Sequence, residues 1–335
     1  MRHARYLASL LLLVAPTLAG AQPAARDRLL LVVNREPQVL SIFRANGPFL
    51  VPIKTLPLGK GSREICLSPD GTRAYVSSQD ESSLTVVDLD KLAIATTIRH
   101  PSIANADGGI VSADGKKLYV TSTSKNAVVV IDPVANTVIK DIPTGREAPR
   151  RVIISPDGKK MYVGHNKSDE LAVIDLATDK VVKYIKVGNE CRGGLAFTKG
   201  GKLLLNGSVE DDTVYFIDTA TDRVVKIIGV PFSPQRIEVT PQGTVVVLSG
   251  GAGQSLLIMD NPESQDRNGV AVGRTPFTIV RVGNAAWGLA LNEDGTVAYS
   301  SNYRDSSISV IDVVGGKLVT TVTVGPDPNG VAFRK

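Results

Sequence analysis

Short runs of β-branched and aliphatic residues alternate along this chain with clusters of Gly, Asn, Asp and Ser. In the stretch that is easiest to read, the apolar runs are residues 151–154, 161–164, 171–174 and 181–187. Four such runs separated by turn residues predict four short strands. The first and second runs are joined through Asp157-Gly158. Asp-Gly between two apolar runs is a strong hairpin signal, because glycine tolerates the positive φ that a tight turn requires.

The unit recurs. Ser68-Pro69-Asp70-Gly71, Ser112-Ala113-Asp114-Gly115 and Ser155-Pro156-Asp157-Gly158 are followed by looser copies ending at Gly201, Gly243 and Gly295. The final glycines are spaced by 44, 43, 43, 42 and 52 residues. A second landmark, an apolar residue followed by aspartate, falls at Asp88, Asp132, Asp175, Asp218, Asp260 and Asp312 with the same five spacings. A four-stranded unit repeating at this period is a propeller blade. Six copies span residues 64–324. Residues 29–33, 38–43 and 49–56 supply three strands of a seventh blade, and residues 329–334 supply its innermost strand. The expected fold is all-β, a seven-bladed β-propeller of four-stranded blades whose ring is closed by N- and C-terminal strands in one blade. The one long interval places an insertion at 261–276, between a third and a fourth strand, read as a solvated polar loop.

Tyr75-Val76-Ser77-Ser78, Tyr119-Val120-Thr121-Ser122 and Tyr162-Val163-Gly164-His165 resemble the Tyr-Val-Thr-Asn repeats of the YVTN family of β-propellers. That family is similar to surface-layer repeat proteins and to lactonase-type propellers related to 6-phosphogluconolactonase. The resemblance runs through the chain after its first 21 residues. It implies the propeller fold, and it implies a lactonase-like hydrolase or isomerase as one functional reading.

The first 21 residues change the picture of location. Arg2 and Arg5 precede a short apolar run at 7–15, and Ala19-Gly20-Ala21 has the small-residue form of a cleavage site. This reads as a signal peptide cut after Ala21, which leaves residues 22–335 as a single domain, periplasmic or secreted. The apolar run falls short of the roughly 20 residues needed to cross a bilayer, so no membrane span is expected. The full chain carries 38 Lys+Arg against 33 Asp+Glu, and the leader takes two of the arginines. Such a mild positive excess does not call for nucleic acid. Single-stranded nucleic acid stands as a lesser alternative, prompted by a basic ring with Trp287, Tyr303 and Phe232 as the aromatics on offer. A monomer is expected.

Candidate chemistry gathers at the axis. Aligning the repeats on their turns puts Arg63, Asp107, Arg150, Gly193, Gln235, Trp287 and Asn329 at one equivalent position near the start of the innermost strand. The next position holds Glu64, Gly108, Arg151, Gly194, Arg236, Gly288 and Gly330. Arg146, Glu147, Glu190 and Arg192 lie in nearby loops. Arginine forks bind carboxylate or phosphate, so Arg63, Asp107, Arg150, Arg151, Arg192, Arg236, Trp287 and Asn329 form a candidate rim for an anionic small molecule, polymer or partner protein. The competing reading is that these arginines pair with Glu64, Asp107, Glu147 and Glu190 and hold the blades together. His165 and Glu190 are the residues on which a hydrolase would draw for a general base; His100 lies on the same face.

Cofactor signals are sparse. Cys-x-x-Cys-His is absent, no zinc spacing occurs, and a single tryptophan does not supply the docked blades of quinoproteins. The resemblance to lactone-hydrolysing propellers, some of which use such a site, implies a divalent cation on Glu64, Asp107 and Asn329 as one option, in competition with the neighbouring arginines. Cys66 and Cys191 fall in blades nearly opposite each other, so free thiols are expected; Cys191 between Glu190 and Arg192 reads as a half-buried inert thiol, with a lowered pKa as the alternative.

Overall fold

The computed structural model describes residues 27–250, 253–260 and 277–335. The leader and the 261–276 insertion lie outside the described residues. Among those described, 28 strands, numbered β1 to β28 in chain order, form seven four-stranded antiparallel sheets. Blade one takes β28 (Pro328–Arg334) as its innermost strand, followed outward by β1 (Leu29–Asn34), β2 (Val39–Asn46) and β3 (Phe49–Pro57). Leu31 stands opposite Ala332 in the β1–β28 pairing, so strands from both ends of the repeat array close the ring. Blades two to seven each take four consecutive strands, in chain order from the axis outward. In blade four these are β12 (Pro149–Ile154), β13 (Lys160–His165), β14 (Glu170–Asp175) and β15 (Lys180–Lys186), within a residue or two of the runs expected from the pattern.

Both repeat landmarks are turns with a clear physical purpose. In the serine-led turn, the hydroxyls of Ser68, Ser112 and Ser155 each donate to the aspartate two residues on at 2.6 Å. Gly71, at φ +66°, completes that turn by donating its amide to the Ser68 carbonyl at 2.9 Å. The second aspartate caps the link between third and fourth strands. Asp88 accepts from the Lys91 amide at 2.8 Å, and Asp132, Asp175, Asp218 and Asp312 accept from backbone amides in the same way. Polar side chains that satisfy local backbone donors fix such turns. That is why these residues recur at constant spacing.

A single blade cannot cover its own two faces. Seven hydrophobic clusters form, one between each pair of neighbouring blades, and the cluster of Leu30, Val32 and Phe43 with Tyr299 and Val310 seals blade one against blade seven. The innermost strands therefore line an axis whose walls are set by packing elsewhere. Those of the other blades are β4 (Ser62–Leu67), β8 (Ala106–Val111), β16 (Leu195–Phe197), β20 (Pro234–Val239) and β24 (Ala286–Leu291).

Candidate functional site at the propeller axis

Where the innermost strands begin, the seven chains approach one another closely. A Cβ on Gly108 or Gly330 would stand 2.5 Å from the carbonyl oxygen of Arg150 or Arg63, and one on Gly194 or Gly288 would run into the backbone at Ile237 or Asn329. No side chain fits at that level in blades one, three, five and seven. Blades two, four and six supply Glu64, Arg151 and Arg236 instead. Oε1 of Glu64 accepts from Nη2 of Arg151 at 3.2 Å and from Nη2 of Arg236 at 2.5 Å. Three alternate blades thus place one charged layer across the axis.

A second carboxylate works beside it. Asp107 of blade three, its side chain only 1% exposed, receives Nε of Arg150 at 2.9 Å, Nη1 of Arg151 at 3.4 Å and Nε2 of Gln79 at 3.1 Å. Arg63 Nε lies 3.7 Å from the same carboxylate, and the Arg63 guanidinium covers the Trp287 ring at 4.9 Å. The four arginines are 11–14% exposed, so they stand inside the axial channel rather than on an open rim. Arg192 lies at the edge of this group. It binds Glu190 at 2.9 Å and reaches Gln235 at 3.4 Å.

Pairing and excess charge coexist here. Arg63, Arg150, Arg151 and Arg236 face two carboxylates, Glu64 and Asp107, which leaves two positive charges in surplus. Burial pushes the Glu64 carboxyl up, but Arg151, Arg236 and the other arginines outweigh it and hold it at about 2. Burial, and then repulsion by neighbouring arginines, lowers Arg236 to about 9; burial likewise brings Arg150 to about 10. All remain charged at neutral pH. Among the described residues, Arg63 Nε, Arg150 Nη2, Arg151 Nε, Trp287 Nε1 and Asn329 Oδ1 are buried without a hydrogen-bond partner. Buried donors and acceptors of this kind are costly unless water or a ligand meets them.

The other candidates stand apart from this centre. His165 ends β13, is 0% exposed, and has Nδ1 3.2 Å from the Glu170 carbonyl. Burial lowers its imidazole to about 4, and Glu190 is engaged by Arg192. His100 is exposed in the loop after β7 (Ala93–Arg99), its Nδ1 accepting from the Ser102 amide at 3.2 Å. Arg146 binds Glu170 at 2.6 Å and lies over the Tyr184 ring.

Two of the alternatives lose support. Cys191 is fully buried and desolvation pushes its thiol up to about 12, as for an inert thiol rather than one activated by its arginine neighbour; it and Cys66 are both free, as expected. The cation arrangement on Glu64, Asp107 and Asn329 does not fit either, because guanidinium groups already hold both carboxylates. No three His, Cys, Asp or Glu side chains among the described residues are grouped to hold a metal ion.

One residue escaped the sequence reading. Two positions below Arg236 in β20 stands Glu238, whose equivalents in the other blades are Cys66, Ile110, Ile153, Ala196, Ala290 and Ala332. A lone carboxylate at an otherwise apolar level was visible in the alignment of repeats.

The geometry defines a seven-bladed propeller with a charged axial centre. A family described as "Lactonase, 7-bladed beta-propeller" matches residues 25–189, so the chain is similar to lactonase-type propellers. No curated protein matches the chain. Among solved structures, it is similar to a functionally unknown protein from Desulfotomaculum acetoxidans, at 16% identity and TM-score 0.75, over 91% of this chain and 98% of that one. Kuenenia stuttgartiensis hydrazine synthase gives 22% identity and TM-score 0.70 over 81% and 89% of the two chains. The dihydro-heme d1 dehydrogenase NirN gives 17% identity and TM-score 0.66 over 93% and 77%. At these identities the likeness is one of fold. No helix among the described residues is long and apolar enough to cross a membrane.

Proposed function

We propose that this is an exported propeller that binds a small anionic molecule, a carboxylate or phosphate, in its axial channel. The observation that carries the reading is the surplus of guanidinium groups over carboxylates, with three guanidinium nitrogens among the described residues buried without a hydrogen-bond partner. An anion entering the ring meets donors already held in place, in a site where low-dielectric walls strengthen each contact. The Arg63 face of Trp287 and the free Asn329 oxygen then select among anions by shape and by a donor group on the guest.

The test is a thermal-shift and calorimetry panel of sugar acids, sugar phosphates and inorganic phosphate. A ligand at a hundred times its dissociation constant adds about 2.7 kcal/mol to stability. Binding that is lost in Arg150→Ala and weakened by salt supports the proposal. Equal affinity in wild type and Arg150→Ala ends it.

The family match over residues 25–189 favours a second reading, hydrolysis of a cyclic ester by the same site. The arginines would stabilise the oxyanion that develops at the lactone carbonyl and hold the carboxylate formed when the ring opens. The general base would be Glu190, released from Arg192, since His165 is enclosed. Turnover of sugar lactones that disappears in Glu190→Gln would establish it; full turnover in that variant would remove it.

A further inference from the structure

The charged layer of Glu64, Arg151 and Arg236 divides the axis, and a separate cavity opens beneath it toward the face of the serine-led turns. It has a volume of about 580 Å³, within the range of small-molecule sites. Its walls combine Ile65, Phe197, Val239, Leu289 and Val331 from five blades with the polar Thr198, Thr240 and Asn292, and among the described residues Glu238 and, at the mouth, Glu293 are its carboxyls. Glu238 makes no hydrogen bond and no ion pair with any described residue. The charged neighbour on its own strand, Arg236, is turned to Glu64 at 2.5 Å.

We propose that this cavity is a second binding site, taking an apolar molecule that carries a protonated amine, with the amine paired to Glu238 and the apolar body against the aliphatic walls. It is independent of the anion site on the other side of the layer. A carboxylate without a hydrogen-bond or ion-pair partner among the described residues is unfavourable in a partly desolvated site, and a cation brought by the guest supplies what the protein withholds. The volume accommodates a guest of drug size rather than a bare metal ion.

Charge at the cavity is compatible with that guest. Lys199 and Lys335 stand exposed at the mouth, where solvent and salt screen them. Glu293, also at the mouth, is 3.5 Å from Arg28. From β4, Cys66 contributes a thiol that burial keeps neutral, raised to about 12. Burial likewise pushes the Glu238 carboxyl up to about 7, against the opposing pull of Arg236. The pairing is therefore strongest above neutrality and fades as pH falls below about 7, when Glu238 takes up its proton.

Calorimetry on the full chain with phenylbutylamine, phenylbutanol and phenylbutyrate tests the site, since the three share one apolar body and differ in the head. Near pH 8 the amine should bind at least tenfold tighter than the alcohol, and the carboxylate weakest of the three. In Glu238→Gln the amine should fall to the affinity of the alcohol, while the alcohol itself is unchanged and so reports an intact cavity. Ala332→Trp, which sets an indole into the cavity from the blade-one wall, should abolish binding of both. Equal binding of amine and alcohol by the wild-type protein overturns the proposal. So does preference for the carboxylate, an unaltered amine affinity in Glu238→Gln or in Ala332→Trp, or absence of binding by all three. Loss of anion binding in Arg150→Ala has no bearing on these outcomes.

Discussion

Glu64 in the innermost strand of blade two accepts a 2.5 Å hydrogen bond from Arg236 in blade six, across the axis and 172 residues away in the chain. The same oxygen holds Arg151 of blade four at 3.2 Å. One carboxylate thus ties three non-adjacent blades together, and the ring's closure is reinforced from within as well as by the blade-one strands.

Removing that carboxylate's charge leaves two buried guanidinium groups facing each other. Glu64→Gln should cost about 3–5 kcal/mol, read as a lower urea midpoint with an unchanged slope. The acid limb of the wild-type protein follows from the same contact. Because Glu64 is held at about 2 in the fold against 4.5 unfolded, its contribution is complete above pH 4.5 and is lost as pH falls toward 2. In Glu64→Gln that part of the acid limb should be missing.

The layer exists because glycine occupies the intervening blades. Gly108→Ala would set a methyl 2.5 Å from the Arg150 carbonyl, a backbone atom that cannot swing aside. A loss of about 3 kcal/mol or more is expected. Gly229, in the outermost strand of blade five, has nothing within 4 Å of where a Cβ would stand. Gly229→Ala should be neutral to within about 0.5 kcal/mol. Comparable losses in both variants, measured by thermal unfolding, would contradict the account of the ring.

The blades were legible in the sequence because what repeats is local. Ser68 to Asp70 and Lys91 to Asp88 are contacts within three residues, and such turns recur wherever the motif does. The position of the arginines at the axis followed from alignment, and Glu64, Asp107 and Glu190 were visible there as carboxylates for them to pair with; which arginine meets which carboxylate was not. Arg151 has Glu64 and Asp107 within reach only because blades two, three and four converge. The burial of His165 was hidden for the same reason. It follows a Tyr-Val-Gly run at a strand end where loops emerge, yet Cys191 from the next blade's approach closes over it, with Sγ 3.4 Å from the His165 amide. Contacts between blades carry no local signal.

Thiol reactivity offers a direct check on burial. Desolvation raises both Cys66 and Cys191 to about 12 from an ordinary 9.0. At a given pH the thiolate fraction then falls roughly a thousandfold, and alkylation with it. The native protein should resist iodoacetamide at neutral pH while both cysteines react once it is unfolded in urea. Mass spectrometry would show rapid labelling of native Cys191 if the thiol were instead activated by Arg192.

His165 supplies a pH signature distinct from that of Glu64. Burial is the main cause that lowers its imidazole to about 4 from 6.5, with Arg146 acting in the same direction and the Glu170 carbonyl against both. The fold accommodates the neutral ring, whereas the unfolded chain takes up a proton as soon as pH drops below 6.5. The stabilisation is therefore complete above 6.5 and declines as pH falls from 6.5 to 4, by about 3 kcal/mol in total. His165→Asn places a side chain that does not titrate at the end of β13. The variant should lose the slope between pH 6.5 and 4 while keeping the steeper loss below 4.5 that belongs to Glu64 and to the turn aspartates. Urea midpoints taken across pH 3 to 8 separate the two windows, and an unchanged slope in His165→Asn would mean that the imidazole is reached by solvent after all.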